Sequence, residues 1–236
     1  MFLFDESLET FKMFGLSHIL AILFIISIFI LIIIFRDRVN ETVEYHARKM
    51  IAFSMVFFEI IFISWNILQS GFDTSLLPLG LCATSMLITS LALWIKNLKL
   101  FKFIFPWAVI GALISLVVAN MTFEFPHFRY FHYFFNHGFF LLANLYFLIN
   151  YRIKLSYKDL WFSGGILLIY VAIMYPFNLI FDDNHLFLMH IPTEAEPLYA
   201  FLGDYWLFGF LFSIFLLFHI IYFSLRLFSK WLYTSK

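Results

Sequence analysis

Cys82, His137 and Glu59 interrupt apolar runs of this 236-residue chain, and together they hold the parts of a nucleophilic site. A thiolate attacks a carbonyl carbon, an imidazole removes the thiol proton, and a carboxylate orients that imidazole and stabilises its charged form. Arg129, Tyr133 and His137 follow one another at four-residue spacing, which puts them on one helix face. Glu59 and Asn66, seven residues apart, share a face of another run. His132 stands about 140° around the helix from His137 on ideal geometry, so the two are not expected to serve one site. Each group also has a bland reading. A single Cys in an apolar helix is usually an inert small hydrophobe, and a buried His is usually a satisfied packing residue. Glu59 can equally be paired to His18 or Asn66, in an interhelical contact worth about 1 kcal/mol.

The elements that must position these groups are apolar helices. Hydrophobic residues make up 63% of the chain and charged ones 13%, with a mean hydropathy of +0.92. No soluble domain of this size keeps such a surface in water, whereas a lipid-solvated bundle does. Seven apolar stretches, at 16–35, 50–70, 76–95, 103–120, 130–150, 160–181 and 204–225, predict an all-α, polytopic membrane protein: one seven-helix domain over 1–236. The run from Leu16 to Phe35 is too long for a signal h-region, follows the acidic residues Asp5, Glu6 and Glu9, and lacks a small-residue cleavage site. It reads as the first span. An odd number of spans rules out two equal halves, and no internal repeat is evident.

Lys and Arg are distributed unevenly between the gaps. Arg36, Arg38, Arg48, Lys49, Lys96, Lys99, Lys102, Arg152, Lys154, Lys158, Arg226, Lys230 and Lys236 fall in alternate gaps and the C-terminal tail, with only Lys12 and Arg129 opposite. The positive-inside rule then puts the N-terminus outside and the C-terminus in the cytoplasm. At 1.5 Å per residue, Cys82, His137 and Glu59 lie about 9, 12 and 16 Å below the outer boundary. All three fall in the outer half of the bundle.

The segment 182–203 is longer than joining two helices requires. It carries Asp182, Asp183, Glu194 and Glu196 beside Leu186, Phe187, Leu188, Met189, Tyr199 and Phe201, a composition of an extracellular loop that shields the bundle or acts as a lid. The single cysteine excludes an intramolecular disulfide, and no paired Cys/His spacing of a zinc site occurs. No metal or cofactor is expected. The absence of a basic or aromatic-basic cluster argues against nucleic acid, and no obligate protein partner is evident.

Particular motifs carry a resemblance. Leu77-Pro78-Leu79-Gly80-Leu81-Cys82, Phe125-Pro126-His127-Phe128-Arg129 with His137-Gly138, and Asn184-His185-Leu186-Phe187-Leu188 followed by Pro192, Leu202-Gly203 and Trp206 resemble the YwaF family of bacterial integral membrane proteins. The likeness runs from Phe11 to about residue 225. Where that family's third-span motif has His before Leu-Cys, this chain has Gly80, and His132 has no counterpart in it. The family in turn resembles a eukaryotic transmembrane acyltransferase for ether phospholipids. The resemblance implies a Cys/His lipid acyl-transfer site, in a multi-pass protein of the bacterial plasma membrane whose partners are phospholipids and the bilayer.

Residues and resemblance together give an expected mechanism. His137 deprotonates Cys82, the thiolate attacks an acyl ester, and a thioester forms before transfer to a lipid hydroxyl or water. Tyr133, Asn66 or Ser85 supplies the oxyanion donor. Arg129 and His127 bind a headgroup phosphate at the outer interface, and Glu59 orients His137. Two other classes compete: a His-based lipoprotein transacylase, and an ion-coupled or lipid transporter built on Glu59. A receptor role has only topology behind it.

Overall fold

The computed structural model describes residues 4, 10–36, 38–192 and 195–234, with side chains described as far as Phe228. Asp5, Glu6, Glu9 and Glu194, and the side chains of Lys230 and Lys236, lie outside the described residues. Eight α-helices follow in order: α1 Leu16–Phe35, α2 Glu41–Ser70, α3 Leu81–Ile95, α4 Leu98–Val117, α5 Phe128–Asn150, α6 Tyr157–Phe181, the single turn α7 Glu196–Tyr199, and α8 Trp206–Thr234. Among the described residues there is no strand, only an isolated bridge between Thr10 and Phe123. The fold is an all-helical, multi-pass membrane bundle.

Local chemistry sets the helix boundaries. Asn40 accepts from Val43 N at 2.8 Å and opens α2, and Asn97 accepts from Lys99 N and Leu100 N at 3.0 Å and opens α4. Ser156 and Asp159 form a reciprocal capping box on α6. Pro78 and Gly80 delay α3, so the apolar run from Leu76 becomes helical only at Leu81. At its far end Lys96 turns left-handed (φ 54°), and the buried Arg48 of α2 donates to the last carbonyls of α3, Leu93 O and Trp94 O. Glu44 holds Arg48 Nε at 2.9 Å and accepts from the Tyr151 hydroxyl.

Among the described residues, five segments are long and apolar enough to cross a membrane: α1, α2, α4, α6 and Glu196–Phe228. Of the seven expected spans, α3 and α5 do not meet this measure of length and hydropathy. Helix α3 has 15 residues, short of the roughly 20 a span requires. Helix α5 has 23 but carries Arg129, His132, Asn136, His137, Asn144 and Asn150. Its polarity has a packing reason. Most of α5 is buried against α1, α2, α3 and α4, so its neighbours are protein rather than lipid. By contrast α1 buries only His18 and Ile25. The core lies between α2 and α5, where Met55, Met86, Phe101, Phe105, Phe140 and Phe147 are at most 1% exposed.

Candidate functional site

A cavity of about 750 Å³ opens at the end of the bundle where α2, α4 and α6 finish and α3, α5 and α8 begin. One wall is a face of α5. Arg129, His132, Tyr133, Asn136, His137 and Phe140 all line it, at the offsets 0, 3, 4, 7, 8 and 11 of one helical face. His132 and His137 are the two edges of that face, and an angle of about 140° between them is its width. The two were not expected to serve one site, yet both line this cavity: a wall contributed to a broad cavity spans more of a helix than a single contact does.

His132 is the centre of a three-residue relay. Its Nδ1 meets Arg129 Nη1 at 2.7 Å and its Nε2 meets Glu59 Oε2 at 2.9 Å. A guanidinium only donates, so His132 Nδ1 accepts and the proton sits on Nε2, from which it donates to Glu59. Asn136 Nδ2 donates to the same carboxylate oxygen at 3.0 Å. The imidazole thus links an intramembrane carboxylate to an intramembrane cation, and neither charge is left isolated in the low-dielectric bundle. Glu59 was expected to orient His137 or to pair with His18 or Asn66; it does neither. His18 instead accepts from Phe14 N at 2.9 Å and bonds Leu116 O at 2.8 Å. Arg129 lies over the rings of Phe62, at 4.4 Å, and Tyr133, at 5.5 Å, facing the cavity from within the bundle.

Cys82 and His137 line the same cavity without a hydrogen bond between them. The Cys82 sulfur contacts Ser115 Oγ at 3.5 Å. Gly111 leaves it room, since a Cβ there would lie 3.2 Å from the sulfur. His137 Nδ1 is 2.8 Å from Tyr133 O. A carbonyl only accepts, so Nδ1 carries the proton and Nε2 holds the lone pair. Tyr133 stacks beside His137 with ring centroids 4.4 Å apart, and its hydroxyl donates to Ser115 O at 2.8 Å.

Three other expected residues fall away from the cavity. Asn66 turns its amide back to Phe62 O at 2.8 Å within its own helix. Ser85 is fully buried in α3 and does not line the cavity. His127 is likewise fully buried, accepting from Arg129 N at 3.1 Å as the cap of α5 and stacking on Phe123 at 4.0 Å. It is a helix cap inside an aromatic cluster, not a headgroup contact. Position 80 faces open space, with no atom within 4 Å of where a Cβ would stand.

Ser115, Asn136 and His185 are lining residues that the sequence reading missed. Asn136 was within reach, since it is seven residues from Arg129 on the face already identified. Ser115 breaks the apolar run of α4 near its outer end, but one hydroxyl gives no direction. His185 arrives with the loop. Asn178 grips that loop by accepting from His185 N at 3.0 Å and donating to His185 O at 2.8 Å, while Asp183 Oδ2 stands 3.8 Å from His185 Nε2. Among the described residues no three His, Cys, Asp or Glu side chains converge to hold a metal ion.

The profile of the TMEM164 family matches residues 13–223. No curated protein and no solved structure matches.

Proposed function

The chain belongs to the TMEM164 family, and from that membership and the cavity we propose that it is a membrane-embedded lipid acyltransferase or transacylase. The observation that carries this reading is the tautomer of His137. With Nδ1–H held by Tyr133 O, Nε2 is the proton-accepting nitrogen on a wall shared with Cys82. Cys82 rotates away from Ser115 to meet it. His137 takes the thiol proton, the sulfur attacks the acyl ester carbonyl, and the departing lysolipid alcohol takes that proton back, leaving a thioester. In the second half, a lipid hydroxyl or water loses its proton to His137 and attacks the thioester, and the thiolate leaves and is reprotonated.

Ser115 is the oxyanion donor in this proposal, because its hydroxyl lines the cavity beside Cys82 and is released when the sulfur turns to His137. Tyr133 keeps its hydroxyl on Ser115 O and serves as a positioning residue. Arg129 holds the headgroup phosphate with the guanidinium nitrogens not used on His132, and Glu59 with His132 fixes its direction. Charge asymmetry orients the cavity to the outer leaflet, and the segment 182–203, six of whose residues between Asn184 and Pro192 line the cavity, is its lid.

The test is acyl exchange between phospholipids in vesicles containing the purified protein. Cys82→Ala and His137→Ala each abolish it; exchange unchanged in both variants would sink the mechanism. Full activity in Cys82→Ser would move the chemistry to the histidines and favour a His-based transacylase.

A further inference from the structure

Four of the five α-helical glycines among the described residues divide into two kinds. A Cβ at Gly138 would meet Ile25 Cδ1 at 2.9 Å, and one at Gly111 would meet the Cys82 sulfur at 3.2 Å. Those two allow close packing. Gly164 and Gly165, consecutive in the interior of α6, have nothing within 4 Å of their Cβ positions, yet both line the cavity. Each disfavours the helix relative to alanine, and packing within the chain does not explain them. Gly164 is half-buried and Gly165 exposed, so together they leave a groove along α6 that opens to the side of the bundle.

That groove is continuous with the polar site. From Val171 to Trp161, about 15 Å along α6 at 1.5 Å per residue, the floor carries Leu168, Gly165 and Gly164, and the facing wall on α8 carries Leu211, Ile214 and Phe215. His219 and Trp161 mark its inner end, where the Tyr157 hydroxyl donates to His219 Nε2 at 2.9 Å and Trp161 packs 5.8 Å from the His219 ring. At the polar end, Asn136 Oδ1 and His185 Nε2 have no hydrogen-bond partner although their residues are 4% and 8% exposed. Buried polar atoms are normally satisfied. One end of the cavity therefore awaits polar atoms, and the stretch between Val171 and Gly164 that leads away from it is lined by hydrocarbon, which is the shape of an amphiphile.

We infer that Gly164 and Gly165 form the bed of a single phospholipid acyl chain and limit the chain length the site accepts. This rests on the acyl-transfer reading for its substrate and adds the residues that select it. A side chain at either glycine occupies the groove, so the longest chains lose contact first. Each methylene displaced costs about fourfold in retention, so a leucine displacing two of them lowers it by about fifteenfold.

The experiment uses full-length Cys82→Ala protein, which binds without turnover, equilibrated with an equimolar mixture of short-, medium- and long-chain diacyl phosphatidylcholines. Retained lipid is extracted and identified by mass spectrometry. Without further substitution the protein retains the long chains; Gly164→Leu and Gly165→Leu shift the retained set to shorter ones, and Gly164→Ala does so less. An unshifted profile in the leucine variants at unchanged thermal midpoint overturns the inference, as does retention of free fatty acid alone. Should a leucine variant fail to fold, Gly164→Ala decides by the same criterion. Acyl exchange measured in parallel on protein with Cys82 intact separates the two claims. Chain-selective retention without exchange removes the reaction and keeps the groove, while exchange with an unshifted profile does the reverse.

Discussion

Asn144 of α5 donates from Nδ2 to Thr89 Oγ1 of α3 at 2.9 Å, and this buried contact sets the register of the two helices. Both helices run away from the cavity end, so counting back seven residues on each, about 10 Å, reaches Cys82 and His137 together. The pairing that brings Cys82 and His137 to one depth is therefore made two turns below them. Asn144→Ala is expected to destabilise the protein by about 2 kcal/mol, since it removes the Thr89 contact and a second bond to Phe140 O at 2.7 Å. A double-mutant cycle with Thr89→Val should return a coupling of about 1 kcal/mol. Unfolding in mixed micelles measures it, and a coupling near zero would separate register from this contact.

Glu59, His132 and Arg129 should behave as one unit. Removing one partner strands a charge inside the bundle, so Glu59→Ala is expected to cost about 3 kcal/mol of stability. Glu59→Ala with Arg129→Met removes both charges and should cost clearly less than the sum of the two single changes. Additive effects would mean that the two charges do not feel each other through His132.

Gly138 sits where α5 meets α1, directly under Ile25, one of the two residues that α1 buries. A β-branched side chain at 138 must push Ile25 aside, so Gly138→Val is expected to destabilise by about 2 kcal/mol. Ile25→Ala in the same protein should recover part of that loss, read as the thermal midpoint in detergent. No recovery would place the strain elsewhere on α5.

Charge asymmetry makes an independent prediction about orientation. In a Cys82→Ala background, a cysteine at the exposed Asp73 between α2 and α3 should react with a membrane-impermeant maleimide added outside intact cells. One at the exposed Asn97, between α3 and α4, should react only after the membrane is opened. The opposite pattern would turn the cavity toward the cytoplasm.

These outcomes depend on features that were unequally legible in the sequence. Helices were visible because an apolar run of span length leaves few alternatives, and several of their ends moved where a cap or breaker intervened: Asn40 carries α2 nine residues beyond its apolar run, and Pro78 with Gly80 shortens α3. Arg129, Tyr133, His137, Glu59 and Cys82 were legible as polar breaks, and all five line the cavity. Their partners were not. Which group Glu59 meets depends on the rotation of α2 against α5, a quantity fixed by packing on every side, and this is why His137 was expected in the place His132 takes. Gly164 and Gly165 were silent for a different reason. A glycine that keeps space open reads, in sequence, like one that lets two helices touch.

Asn178 connects the end of α6 to the loop over the cavity, and the consequences of losing it can be followed. Both its amide atoms bond the backbone of His185, at 2.8 and 3.0 Å, and Asn178 itself is 1% exposed. Alanine leaves two backbone groups without those partners while hardly touching the helix bundle, since the bonds reach into the loop and not to another helix. The loop should open more often with the bundle intact. Limited proteolysis of Asn178→Ala is therefore expected to cleave within 184–195 about tenfold faster, an opening cost lower by about 1.4 kcal/mol, while the thermal midpoint of the bundle stays close to that of the unaltered protein. If the segment is a lid, acyl exchange in the same variant should show a raised KM with a smaller change in kcat, because the loop lines the cavity beside the bound lipid and not at the sulfur. Unchanged cleavage would show that the loop is held by its apolar residues instead, with Leu188, 2% exposed, the first to replace.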